Sequence, residues 1–163
     1  MLTVKWNDTM SGVVWDDENP TPITGIEVKN NIIYSTGTTF NYALIKLDAH
    51  CDFAASGCDY NALYTNSFNT MGAVGASVKT KTEWQALGYD VHSLFDIPQL
   101  TALAGLMASV DPRPIAGSNV IGAGANLGTS YDDAMDIVSV PPSITTKNQP
   151  SAPDLWTIGA YIR

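Results

Sequence analysis

The sequence predicts an all-β domain, and three observations carry the prediction. Strand formers and turn formers alternate through the first half of the chain, apolar residues there follow a period of two, and amphipathic helical patterns are few. The 163 residues are 45% hydrophobic and 15% charged, which suits a single domain. At this length a compact fold buries roughly 70% of the surface of the unfolded chain. Eight Lys and Arg stand against sixteen Asp and Glu, a net charge of −8. With no basic cluster, nucleic acid and anionic membrane surfaces are poor electrostatic partners. No apolar run approaches the roughly 20 residues that span a bilayer, so membrane insertion is not expected. Met1 to Asp8 lacks the charged head and long apolar stretch of a signal peptide.

Taken in order, Ile23 to Lys29 places Ile26 and Val28 on one face and Glu27 and Lys29 on the other, a half-buried strand. The chain turns at Asn30-Asn31, resumes as Ile32-Ile33-Tyr34, and turns again at Ser35-Thr36-Gly37. Further strands are expected at 42–47, 60–64 and 73–78, separated by the Gly, Asn, Ser and Asp that tolerate tight turns. A helix is expected at 81–87, where Thr80 and Glu83 have capping-box spacing and Trp84 and Leu87 would share one face. A second short helix is expected at 99–110, from Leu100, Leu103, Met107 and Val110, bounded by Pro98 and by Asp111-Pro112. Beyond Pro112 the prolines at 141, 142, 150 and 153 predict a wrapped loop before an apolar strand at 156–161. Nothing in the composition separates two domains. The expected organisation is one unit, with an N-terminal strand or arm at 1–22, strands at 23–80, and helix, loops and a cap at 81–163.

Several of these stretches together resemble a known pattern. Gly25 to Tyr34 resembles a rung with an Asn-Asn turn, and Cys58-Asp59-Tyr60-Asn61-Ala62-Leu63-Tyr64 is similar to the rung that follows it. Thr82 to Ser93 resembles a short closing helix and turn, and Ser118 to Gly124 with Ile158 to Tyr161 resembles a C-terminal signature. The family is the right-handed parallel β-helix group of the pectate-lyase type, which includes polysaccharide lyases, glycosidases and phage tailspikes. The resemblance spans roughly residues 23 to 163. It departs at Asn119, where the family usually has Pro, and at Ile162, where an acidic residue is common. It implies a short right-handed parallel β-helix with a C-terminal cap and one or two short helices. In such a fold each rung closes its core only against its neighbours, and stacked Asn side chains satisfy buried amides. Rungs of about 20 to 25 residues would leave about three before Thr80. The N-terminal edge would then be open to pairing with another chain.

Candidate chemistry is sparse. Asp48, His50 and Asp52 alternate on one expected strand face, where two carboxylates and an imidazole could bind a divalent ion or transfer protons. They read more readily as a solvated polar face, since no further ligand is identifiable nearby. Asp132, Asp133 and Asp136 form an oxygen-rich cluster that could hold Ca2+, the one cofactor in view, or a plain turn of solvated carboxylates. Cys51 and Cys58 could staple their loop as a disulfide or remain as buried thiols. Trp6, Trp15, Tyr34 and Tyr64 are the candidate contact surface for a glycan or a partner. The expected function is a non-catalytic structural or adhesive module, such as a virion decoration or tailspike-like protein. It would work extracellularly or on a virion surface, with a homotrimer, another structural protein or a polysaccharide as partner. The alternative is a secreted lyase or glycosidase acting on acidic glycans.

Overall fold

The computed structural model describes residues 3–6, 13–15, 27–35, 43–47, 57–65, 71–102, 111–136, 145–149, 156–159 and 161–162. Among these the fold is all-β, with many short strands in small sheets and a single short helix. Three parallel ladders form the first half. Strands β1 (Thr3–Trp6), β4 (Ile32–Ser35) and β7 (Ala62–Thr65) make one, with Thr3 opposite Ile32 and Ile32 opposite Ala62. A second runs through β2 (Val13–Trp15), β5 (Ile45–Leu47) and β8 (Gly72–Val74). The third pairs β3 (Val28–Lys29) with β6 (Cys58–Asp59). The chain therefore visits the three sheets in one order, β3-β4-β5, and repeats it as β6-β7-β8. The repeat is longer than the expected 20 to 25 residues, since Asn31 and its counterpart Asn61 are 30 apart. Connecting segments after Ser35 and after Leu47 make up the difference.

The consecutive apolar pair at Ile32-Ile33 follows from burial on both sides of the sheet. Adjacent strand residues face opposite ways. Ile33 and Leu63 enter a core with Val28, Leu44, Ile45, Leu47, Cys58, Met71 and Trp84. Ile32 and Ala62 enter a second core with Leu100, Val120 and Ile158 from the later chain. A strand covered on both faces reads as a continuous apolar run rather than an alternation.

The far edge of the ladders is closed. Strand β9 (Ser77–Lys79) folds back antiparallel on β8, so the single strand expected at 73–78 is instead a hairpin turning at Gly75-Ala76. Helix α1 (Lys81–Ala86) follows, with the expected capping box: Thr80 N–H donates to Glu83 Oε2 at 2.8 Å, and Glu83 N–H donates to Thr80 Oγ1 at 3.3 Å. Trp84 is fully buried, whereas Leu87, expected on the same face, caps the six-residue helix and is exposed. The chain then pairs with β7 through a parallel bridge from Leu94 to Ala62.

The helix expected at 99–110 is absent from its described part. Leu100–Ala102 is strand β10, antiparallel to β11 (Asp111–Pro114), and residues 103–110 lie outside the described residues. Pairing with β11 and burial of Leu100 against Ile32, Val120 and Ile158 outweigh the local helical spacing. Both prolines of β11 sit in a two-stranded sheet, where missing N–H donors are tolerated. Strands β12 (Asp133–Asp136), β13 (Thr146–Asn148) and β14 (Tyr161–Ile162) form a last sheet, so part of the expected loop is strand.

Packing at the closed edge is tight. A Cβ on Gly72 would overlap the Trp84 indole ring. Replacing Gly72 by Ala should therefore destabilise the fold by about 1–3 kcal/mol through overpacking. A urea midpoint unchanged within error would show that Trp84 does not seal this edge.

Candidate functional site

The corner that joins β3 to β4 recurs between β6 and β7. Asn30 and Tyr60 both adopt left-handed backbone conformations, with φ of 58° and 57°, and each is followed by an Asn. Asn61 is completely buried, and all its hydrogen-bonding capacity is used. Its Oδ1 accepts from the Asn31 backbone N–H at 3.0 Å and from Asn31 Nδ2 at 3.2 Å. Its Nδ2 donates to the Val28 carbonyl at 2.8 Å and to Asp90 Oδ1 at 2.9 Å. This is the amide ladder expected of the Asn-Asn turn, but Asn31 alone takes part in it. Asn30 faces elsewhere: its Nδ2 donates to the Ala125 carbonyl and its Oδ1 accepts the Ala125 N–H, both at 2.8 Å. Asn30 thus mimics a strand partner and pins the later chain to the first corner. Gly124 permits the approach, since a Cβ there would lie 2.8 Å from Asn30 Oδ1.

At the closed edge Ser93 stands in for a third Asn, its Oγ accepting the Asn61 backbone N–H at 2.7 Å. Asp90, also fully buried and in a left-handed conformation, gathers the remaining donors. Its Oδ1 accepts from Asn61 Nδ2 and from Ser93 Oγ at 2.6 Å. Its Oδ2 accepts from Trp84 Nε1 at 2.8 Å and from Cys58 Sγ at 3.2 Å. Four donors on one carboxylate replace the water it loses. Cys58 is a free, buried thiol. Burial, with the neighbouring charge and hydrogen bond of Asp90 and then the charge of Asp59, pushes its pKa well above the usual thiol range.

Beside this network Asp59 holds His92. Asp59 Oδ1 accepts the backbone N–H groups of Tyr60 and His92, and Oδ2 lies 2.6 Å from His92 Nδ1. The imidazole stacks on Tyr60 at 4.9 Å and leaves 60% of the His92 side chain in solvent. A carboxylate-oriented imidazole of this kind can exchange protons with a bound molecule. Sequence reasoning did not single out either residue as a site, because a separation of 33 positions hides the pairing.

Of the candidates read from the sequence, Tyr34 and Tyr64 are brought together. They face each other in register on β4 and β7, with rings stacked at 5.3 Å and half-buried. Burial, with Tyr64 beside it, raises the pKa of Tyr34. Trp6 and Trp15 lie in β1 and β2, in different sheets. Asp48, His50, Asp52 and Cys51 lie outside the described residues. The acidic trio is strung along one segment: Asp132 Oδ2 accepts from Asn148 Nδ2 at 3.1 Å, while Asp133 and Asp136 stand at opposite ends of β12. Among the described residues no three His, Cys, Asp or Glu side chains come together as a metal site.

A cleft of about 440 Å3 opens where the pinned segment meets β3. Its walls include Lys29, Leu127, Tyr131 and Trp156, and it continues past Glu27 and Asn126. Tyr131 is 69% exposed. Comparison with protein-family models, with curated proteins and with solved structures finds no match to this chain.

Two outcomes follow from the buried network. Asp90→Asn removes the charge and puts an amide N–H2 among donors, so it should cost about 2–4 kcal/mol in urea denaturation. A loss under about 0.5 kcal/mol would show that the four bonds do not hold the edge. Because the folded pKa of Cys58 lies above its unfolded value, its contribution is complete below the unfolded thiol pKa of about 8.5 and declines as pH rises beyond it. Stability should therefore fall on the alkaline side, and Cys58→Ala should flatten that limb of a pH series of thermal melts.

Proposed function

We propose that this chain is a non-catalytic structural and adhesive module, built as a short right-handed parallel β-helix, that contacts a partner subunit or a polysaccharide. The observation that carries the reading is the repeated strand order in three parallel ladders, stitched at equivalent corners by Asn31 and Asn61. Stacking of this kind produces a stiff rod of short strands whose stability comes from neighbouring layers. The half-buried Tyr34–Tyr64 stack supplies an aromatic stripe on the outer side of the rod. Among the described residues β1 and β2 stand outermost in their ladders, the place where a partner strand would add. A homotrimer is the favoured assembly, on an extracellular or virion surface.

The second reading, a polysaccharide lyase or glycosidase, draws on the Asp59–His92 pair, an oriented proton-transfer group near the closed edge. Light scattering, followed by incubation with acidic polysaccharides while ultraviolet absorbance reports new double bonds and a reducing-end assay reports hydrolysis, separates the two. The adhesive reading expects an oligomer that releases neither unsaturated product nor new reducing ends. A monomer that releases either, and loses it on His92→Ala, would replace that reading with the enzymatic one.

A further inference from the structure

We infer that the cleft between β3 and the 126–131 segment is a binding site for a neutral pyranose unit. The inference rests on the adhesive reading and assigns its glycan contact to a place other than the Tyr34–Tyr64 stripe. Three features carry it.

The first is preorganisation. The cleft wall at 126–131 follows directly on Ala125, which Asn30 clamps through two 2.8 Å hydrogen bonds, and the Asn30 carbonyl also accepts the Gly159 N–H at 3.1 Å. A turn closed by the Tyr131 N–H donating to the Gly128 carbonyl at 3.0 Å then sets Tyr131 at the rim. The opposite wall is Lys29, held in β3 by its register with Asp59. The two parts of the cleft share Lys29, Leu127 and Tyr131, and the volume of about 440 Å3 is within the range of small-molecule sites.

The second is the balance of charge. Lys29 is only 17% exposed at its side chain, and its ammonium is 2.7 Å from the carboxylate of Glu27, which is 60% exposed. The pair is neutral as a unit. An anionic ligand would have to displace Glu27 and approach a chain of net charge −8. A cation would have to compete with Lys29 for the same carboxylate. A hydroxyl does neither, because it can accept from Lys29 and donate to Glu27 at once.

The third is the free aromatic ring. Tyr131 is the most exposed of the large hydrophobic residues described, and among the described residues no hydrogen bond engages its hydroxyl. Asn126 uses its Oδ1 to accept the Gly128 N–H at 2.8 Å, which leaves its Nδ2 as a donor beside the ring. An exposed ring face flanked by a donor amide and a neutral ion pair complements a ring with one C–H face and a rim of hydroxyls. The stacked Tyr34 and Tyr64, by contrast, spend a face on each other.

The test is a titration of the 15N-labelled full chain with three probes: cellohexaose, maltohexaose and trigalacturonate. Amide shifts at residues 27–30 and 126–131 are expected with at least one of the two neutral hexaoses. Tyr131→Ala should weaken that binding about ten-fold, the size of a single aromatic contact, and Tyr131→Phe should largely retain it. Both variants alter an exposed side chain, so the rest of the spectrum and the melting temperature should be unchanged. The inference is overturned if neither hexaose shifts these amides, if Tyr131→Ala leaves the binding intact, or if trigalacturonate binds there more tightly than both. Shifts confined to Tyr34 and Tyr64 would sink the cleft and keep the adhesive reading. Lysis of a polysaccharide with hexaose shifts still at the cleft would do the reverse.

Discussion

Every parallel stack of strands must end somewhere, and at its end a row of backbone and side-chain groups loses the layer that would have paired with it. Here that constraint is met at Asn61 and Asp90. Asn61 belongs to the last corner of the ladder and needs an acceptor for one of its amide hydrogens where the next Asn would have stood. Asp90 provides it, and Ser93 takes the Asn61 backbone N–H. The same carboxylate collects Trp84 from the helix and Cys58 from the neighbouring strand. A fully buried carboxylate is costly unless its lone pairs are filled. Filled from four elements, it becomes the point on which helix, turn and ladder must agree.

The rest of the closed edge follows from that point. Trp84 reaches Asp90 with its indole ring against the first residue of β8, and a side chain at residue 72 would overlap that ring. The capping box at Thr80 starts the helix at the register that aims Trp84 inward. The turn through Asp90 then delivers His92 to Asp59 and Leu94 to the edge of β7. What looks in isolation like an acid–base pair is held by the geometry that terminates the ladder. The later chain is tied in at the opposite side of the corner by Asn30, whose side-chain amide pairs with Ala125 as a strand would. That tie brings Tyr131 and Lys29 to the two sides of one cleft.

Much of the first half was legible from local pattern. The strand end at Val28-Lys29 (residues 23–26 of the expected strand lie outside the described residues), the Asn-Asn corner, the apolar run at Ile32-Ile33 and the capping box at Thr80 each depend on neighbours within a few residues. The helical spacing of Leu100, Leu103, Met107 and Val110 misled because Leu100 is drawn into strand pairing with β11 and into the core around Ile32, neither of which is near in sequence. The hairpin at 73–78 was missed for a related reason: Val74 and Ser77 read as one alternating run until β8 finds its partner on each side. The site was less legible still. Asp90, Asp59, His92, Lys29 and Tyr131 are ordinary polar or aromatic residues in sequence, and pairs such as Asn30 with Ala125 are 95 residues apart.

By itself the sequence determined that this chain builds an all-β fold, where its corners turn, where its one described helix begins, and that its charge disfavours nucleic acid. Those properties are set by residue type and short-range spacing, which act before any long-range contact forms. Only the tertiary structure decided which Asn stitches the layers and which one clamps the later chain. It also decided that a carboxylate is buried at Asp90, and that a tyrosine and a lysine–glutamate pair share a cleft. Such choices depend on which distant groups are left without water or partners once the layers meet, and no local pattern encodes that.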